Sequence, residues 1–331
     1  MKLLAPVSSL ESALKQIAAG AGEIYLGGDT DIFNNFSFSG RGKYNPNLEK
    51  IAPDVKELKE IISYAHEHDV NVMYAANIPF LADDPNGAQE YIKHFMNYIE
   101  KGINAGVDSI IVADIGAILL LKKNGITTHI TASTFFETIN TDQVLFLRDI
   151  GVNRVVLSYQ VTMNEIEEIS KIKHIELEVF GHYGCSFYDG YCNLKHFFGE
   201  TVKTGIGVPC QNRYKLVKNG YTIKESNFLR FSLACSVCSL IKLKRLGIYA
   251  IKLVGRSRNS AQNAEITSIY DQMLRRIKDF DNTLDDETEY MQKLRNELLP
   301  RWWKQSICKE GLCKYKDNPI TRSFVGIGYK S

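Results

Sequence analysis

Apolar and polar positions alternate in blocks along this chain: short runs of aliphatic residues, each followed by a longer stretch whose apolar residues recur every three or four positions. The first kind predicts strands covered on both faces, the second amphipathic helices. Eight strands are expected, at 2–5, 23–27, 70–75, 109–113, 127–131, 154–158, 175–180 and 249–254. Ser109-Ile110-Ile111-Val112-Ala113 and Arg154-Val155-Val156-Leu157-Ser158 are the most continuous. Between them, Ser8-Ser9-Leu10-Glu11 opens a helix carrying Leu14, Ile17 and Ala18. Residues 54–66 place Val55, Leu58, Ile61, Ile62 and Ala65 at helical spacing, and Thr162-Met163-Asn164-Glu165 has the form of a capping box. Strands alternating with helices predict a (β/α)8 TIM-like barrel, with an open doubly wound sheet as the alternative.

Two stretches exceed a minimal barrel. Strands seven and eight are separated by roughly 65 residues, whereas βα-loops usually run about 2–6. That insertion, at 181–240, divides a barrel domain expected over 1–260. Beyond it, 261–278 reads as a helix with Ile266, Ile269, Met273 and Ile277, followed by an acidic segment at 281–290 and the basic aromatic run Arg301-Trp302-Trp303-Lys304. Residues 261–331 are therefore expected to form a C-terminal helical extension packed on the barrel.

Composition narrows the function classes. Lys plus Arg number 40 against 38 Asp plus Glu, a net charge of +2, so a surface built wholly for phosphate backbones is not expected and nucleic acid is the less favoured partner. Met1-Lys2-Leu3-Leu4-Ala5-Pro6 runs directly into structured sequence without a signal-peptide apolar region, and no run reaches membrane-spanning length. A cytoplasmic protein without membrane insertion is expected.

Cysteine placement carries the chemistry. Five of the seven fall in the insertion, as Cys185-x6-Cys192-x17-Cys210-x24-Cys235-x2-Cys238. In a long chain with no secretion signal this points to a thiolate metal site rather than to disulfides. Four thiolates gathered by loops can hold zinc or an iron–sulfur cluster, and the spacing alone leaves the metal open. Gly184 to Cys192 follows a strand directly, and the carboxyl ends of barrel strands are where active sites assemble. Cys308 and Cys313, in the tail, are expected to be ordinary surface or packing cysteines.

Several ordered segments resemble peptidase family U32, the collagenase-like proteases. They are Leu3-Leu4-Ala5-Pro6 with Ala19 to Gly28, Gly106 to Asp114 with Gly116, His129 to Ser133, Gly151 to Leu157, Glu178-Val179-Phe180 with Cys185-x6-Cys192, and Ile251 to Arg256. The resemblance implies an oxygen-independent hydroxylase of anaerobic metabolism carrying a four-iron four-sulfur (4Fe-4S) cluster, with prephenate as the oxygen donor. It places Cys185, Cys192 and Cys210 as three ligands and Cys238 as the fourth, with Cys235 as the competitor. Ser158-Tyr159-Gln160-Val161 departs from the Arg-Glu pair found there in many members, and the run from Glu178 to Cys185 is one residue shorter than usual. Both departures bear on substrate rather than on the cluster.

Among other candidates, Arg256, directly after the eighth strand, suits a carboxylate because its guanidinium offers a bidentate fork; Arg41 is a weaker candidate of the same kind. A structural ion pair is the alternative for each. His182 and His196 flank the first cysteines and could contact substrate or pack inertly. His66, His68 and His94 lie on expected helices, and there is no H-E-x-x-H zinc motif. Three functions follow: an iron–sulfur hydroxylase or redox enzyme acting on a small molecule or nucleobase, a non-catalytic cluster-bearing subunit paired with a second U32-family chain, and a U32-type peptidase.

Overall fold

The computed structural model describes residues 1–28, 52–78, 88–182, 213–226, 234–255, 259–280, 286–309 and 311–315. Eight parallel strands close into a barrel: β1 (Lys2–Pro6), β2 (Glu23–Leu26), β3 (Asn71–Ala76), β4 (Ser109–Val112), β5 (His129–Ala132), β6 (Arg154–Val156), β7 (Glu176–His182) and β10 (Ala250–Leu253), in the order β1-β10-β7-β6-β5-β4-β3-β2. All eight coincide with the expected apolar runs, and closure rules out the open sheet. Two further strands, β8 (Tyr214–Lys218) and β9 (Tyr221–Ser226), form an exposed antiparallel hairpin within the insertion. Its turn is Asn219-Gly220, both at positive φ (51° and 81°), as a two-residue hairpin loop requires.

Helices follow the strands in turn: α1 (Leu10–Ala18), α2 (Val55–Glu67), α3 (Ala88–Ala105), α4 (Ile115–Lys123), α5 (Thr141–Asp149), α6 (Met163–Ile169), α7 (Leu240–Arg245), α8 (Ser260–Arg276) and α9 (Glu287–Leu298). The Thr162 capping box forms: its hydroxyl accepts from the Glu165 backbone while the Glu165 carboxylate accepts from Thr162 N. Helix α8, expected to begin the C-terminal extension, is the barrel's own eighth helix. Thr267 donates to Gln16 on α1 at 2.6 Å, and Lys15 reaches Ser260 at 3.2 Å. Helix α8 is thereby fastened to α1.

The strand registers sort the side chains into two layers. Outward-facing Leu3, Ile24, Val72, Ile110, Ile130, Val155, Val179 and Ile251 are buried against the helices in the main core. Inside the barrel, Leu4, Tyr25, Met73 and Ile111 form a small apolar cluster, with Glu23 and Lys252 beside Leu4 and with Ser109 and Thr131 beside Met73 and Ile111 on the same registers.

Candidate functional site at the carboxyl end of the barrel

The barrel interior is held by an ion-pair lattice built on Arg154. This first residue of β6 is 1% exposed. Its guanidinium grips Glu23 at 2.6 and 3.0 Å, donates from Nε to Glu176 at 2.7 Å and reaches Glu178 at 3.4 Å. The ring of Tyr249 covers it at 4.5 Å. Burial acts against the Arg154 charge, but the hydrogen bonds to Glu23 and the charges of Glu178, Glu23 and Glu176 outweigh it and push the pKa above its ordinary value. Lys252 donates to the other oxygen of Glu178 at 2.9 Å, and Lys2 lies 3.7 Å from Glu23. Glu23, Glu176 and Glu178 thus face Arg154, Lys252 and Lys2, a balanced set that a barrel interior can hold. Lys252 Nζ also sits 4.7 Å over the ring of Tyr25, whose hydroxyl donates to Leu253 O at 3.1 Å. The lattice therefore climbs from the amino end of the barrel towards its carboxyl end and fixes Lys252 there.

At the carboxyl end of β7 three segments meet. His182 bridges antiparallel to Cys235, and Cys235 bridges parallel to Cys313. The second bridge is made by Cys235 N to Leu312 O at 3.1 Å and Lys314 N to Cys235 O at 2.9 Å. Tyr315 donates to Phe180 O at 2.9 Å, and the buried ammonium of Lys314 donates to Tyr159 O from above the Tyr159 ring. The tail is thus stitched into the barrel rim, not loosely appended.

His182 pairs in register with Leu253 after a bulge and so faces outward, towards the helices. It is fully buried, with its ring 4.2 Å from Trp303 and 6.2 Å from Tyr270. Tyr270 donates to Gly181 O at 2.7 Å. Burial holds the Tyr270 phenol well above its usual range, with a further push from Cys235. Cys235 lies in the same outer core as Tyr270, Trp303 and Ile307.

Cys238 and the tail thiols complete this group. Burial, then the neighbouring Cys238, push the Cys235 thiol up to about 12, with Cys308 adding to it, while the Val237 N–H opposes the rise. Cys238 is raised by burial and by Cys313 and Cys308 and is lowered by Arg295. Cys308 is raised by burial and Cys313 and lowered by Arg295 and Lys304. The four thiols differ in exposure: Cys235 is buried, Cys238 exposed, and Cys308 and Cys313 intermediate, with Arg295 near Cys238 and Cys308. The tail pair, expected to be surface or packing cysteines, joins the C-x2-C pair. Cys185, Cys192, Cys210, His196, Arg41 and Arg256 lie outside the described residues.

The sequence matches the profile of peptidase family U32 over residues 8–308. The chain belongs to peptidase family U32. Its U32 relatives include a 23S rRNA 5-hydroxycytidine synthase of Escherichia coli K12, 26% identical over 284 residues, which cover 83% of this chain and 39% of the relative. A tRNA hydroxylation protein P1 of Bacillus subtilis 168 is 24% identical, covering 81% and 62%. An uncharacterized protease of Methanocaldococcus jannaschii is 27% identical, covering 91% and 71%. The chain thus spans well under half of the rRNA synthase and somewhat under two thirds of the tRNA protein.

Lys252, Glu178, Glu23 and Arg154 were not among the residues singled out from sequence. The signal was present: each is a charged residue within or opening an otherwise apolar strand, at an inward position. Gly28 N donates to the Tyr98 hydroxyl at 2.9 Å, and a side chain at Gly28 would run into Tyr74.

Proposed function

We propose that this chain is an iron–sulfur-dependent, oxygen-independent hydroxylase, or a closely related redox enzyme, with prephenate or another dicarboxylate as oxygen donor. The observation that carries the reading is the convergence of cysteine-bearing segments at the carboxyl end of β7, the end at which such barrels do their chemistry. Thiols are the donors an iron–sulfur cluster requires, and Arg295 opposes part of the rise that burial imposes on Cys238 and Cys308. The proposed ligands are Cys185, Cys192 and Cys210, with Cys238 the fourth expected from sequence and Cys235 its competitor.

A bound 4Fe-4S cluster supplies one-electron exchange and a Lewis-acidic iron. The chain's own residues supply the rest. Arg256 follows Gly255 at the end of β10 and, with Arg41, provides guanidinium groups for a carboxylate donor. Lys252, held by Glu178 and Tyr25, adds a fixed positive charge inside the barrel. His182 acts from behind the wall, packed on Trp303, and positions the end of β7.

The substrate class is a nucleobase in RNA or a small molecule. Net charge alone disfavours RNA, but two relatives are named for RNA hydroxylation, and that weighs towards a nucleobase. The test is anaerobic incubation of iron-loaded protein with prephenate and unmodified tRNA and rRNA transcripts, read by nucleoside mass spectrometry. An added oxygen dependent on the donor is expected. Gelatin or peptide cleavage that survives removal of contaminating proteases and disappears with a point change in the barrel mouth would restore the peptidase reading. Activity appearing only with a second family member present would make the chain a subunit.

A further inference from the structure

The hairpin β8–β9 pairs with no barrel strand. Every residue from Lys215 to Glu225 is exposed, on both faces of the ribbon. Leu216, Val217 and Ile223 lie open to solvent, and Tyr221 is 79% exposed. A two-stranded hairpin with no sheet or helix behind it is marginally stable in water, so these apolar side chains gain by being covered.

The same stretch concentrates positive charge. Residues 213–226 hold Arg213, Lys215, Lys218 and Lys224 against Glu225 alone, a local excess larger than the net +2 of the whole chain. Glu225 stands opposite Lys215 in register but accepts from Arg213, at 3.1 Å. Lys215, Lys218 and Lys224 make no ion pair among the described residues. Cations and apolar groups also interleave: Lys218 stands opposite Tyr221 beside the Asn219-Gly220 turn, and Lys224 opposite Leu216. Ammonium groups suit phosphates, and an exposed ring suits an unstacked base, a combination that fits single-stranded nucleic acid. Lysines on both strands oppose the addition of a further protein strand to either edge.

We propose that the β8–β9 hairpin binds RNA, with Lys215, Lys218 and Lys224 on the phosphates of an unpaired stretch and Tyr221 stacked on a base. The choice of RNA rests on the hydroxylase reading and its nucleobase substrate; the binding of single-stranded nucleic acid stands on the charge and the exposed ring. Cys210, one of the proposed cluster ligands, precedes Arg213 by three residues, an interval that an extended chain spans with at most about 11 Å. The base of the hairpin is thereby tethered close to the proposed chemistry.

The test titrates full-length protein into a fluorescein-labelled, unmodified tRNA transcript without prephenate, read by anisotropy at several salt concentrations. Wild type is compared with Lys215→Gln/Lys218→Gln/Lys224→Gln, with Tyr221→Ala, and with Lys59→Gln/Lys123→Gln/Lys293→Gln, which removes the same charge from exposed helix positions. Circular dichroism confirms folding of each. Loss of three phosphate contacts should weaken binding about fiftyfold at about 0.15 M salt and lower the slope of log affinity against log salt by about 2. Tyr221→Ala should weaken it by about fivefold or more with the slope unchanged. The helix control should bind close to wild type, because charges beyond a Debye length from the bound phosphates are screened. Hairpin variants that bind as tightly as wild type, an equal loss in the helix control, or no binding by wild type would overturn the proposal. Nucleoside mass spectrometry of the same transcript after anaerobic incubation with prephenate separates the two readings. Hairpin-dependent binding with no added oxygen sinks the hydroxylase alone, and added oxygen with undiminished affinity in the hairpin variants sinks the hairpin alone.

Discussion

Replacing Arg154 by methionine tests whether the charged barrel interior is a load-sharing lattice. Methionine approximates the side-chain length but removes five donors, leaving Glu23 and Glu178 to Lys2 and Lys252 and Glu176 to His129. Glu23 and Glu178 are fully buried, so neither can recover its lost partner from water. Removing one member of a buried ion-paired set costs about 3–5 kcal/mol, a large part of the roughly 5–15 kcal/mol that holds a domain folded. With a urea dependence of about 3 kcal/mol per molar, the midpoint should fall by roughly 1–1.7 M. Arg154→Lys should recover only part of this, since an ammonium cannot span Glu23 and Glu176 together. Arg154→Met combined with Glu23→Gln rebalances the charge, and the two changes should couple favourably by about 1–3 kcal/mol. The assay is urea unfolding followed by circular dichroism and tryptophan fluorescence. A loss below about 1 kcal/mol for Arg154→Met, the worth of an exposed ion pair, would refute the lattice.

Two further outcomes follow from the same geometry. Burial alone would raise the Glu176 carboxyl, but its hydrogen bond with His129 and the charge of Arg154 outweigh that and hold it below the usual carboxylate range. A depressed carboxyl stabilises the fold above its unfolded pKa and loses that contribution as pH falls through its folded value; unfolding midpoints should therefore drop below about pH 4, and Glu176→Gln should flatten that limb. Arg256→Ala, compared with wild type at matched iron content, should weaken prephenate binding by about tenfold or more, and Arg256→Lys should restore only part. Equal affinities by titration would make Arg256 a structural residue.

The barrel was legible because its strands are covered on both faces and so read as unbroken apolar runs, visible without tertiary information in Ser109 to Ala113 and Arg154 to Ser158. The lattice was harder to see. Glu23 and Arg154 lie on opposite sides of a barrel, and nothing local pairs residues 131 positions apart. The hairpin could have been found, since Asn219-Gly220 between Tyr214–Lys218 and Tyr221–Ser226 is a strong two-residue turn signal. The meeting of Cys235 with Cys313 depends on the path of α8, α9 and the tail, which no spacing rule encodes. Cys185, Cys192 and Cys210 were read from spacing and family resemblance and lie outside the described residues.

The most direct measurement is the metal content and electron paramagnetic resonance of protein kept from air throughout purification. A brown protein with at least about four irons per chain, a reduced-cluster signal on dithionite addition, and loss of iron in each of Cys185→Ala, Cys192→Ala and Cys210→Ala is the predicted result. One equivalent of zinc with no iron, or iron content unchanged in all three variants, would contradict the account.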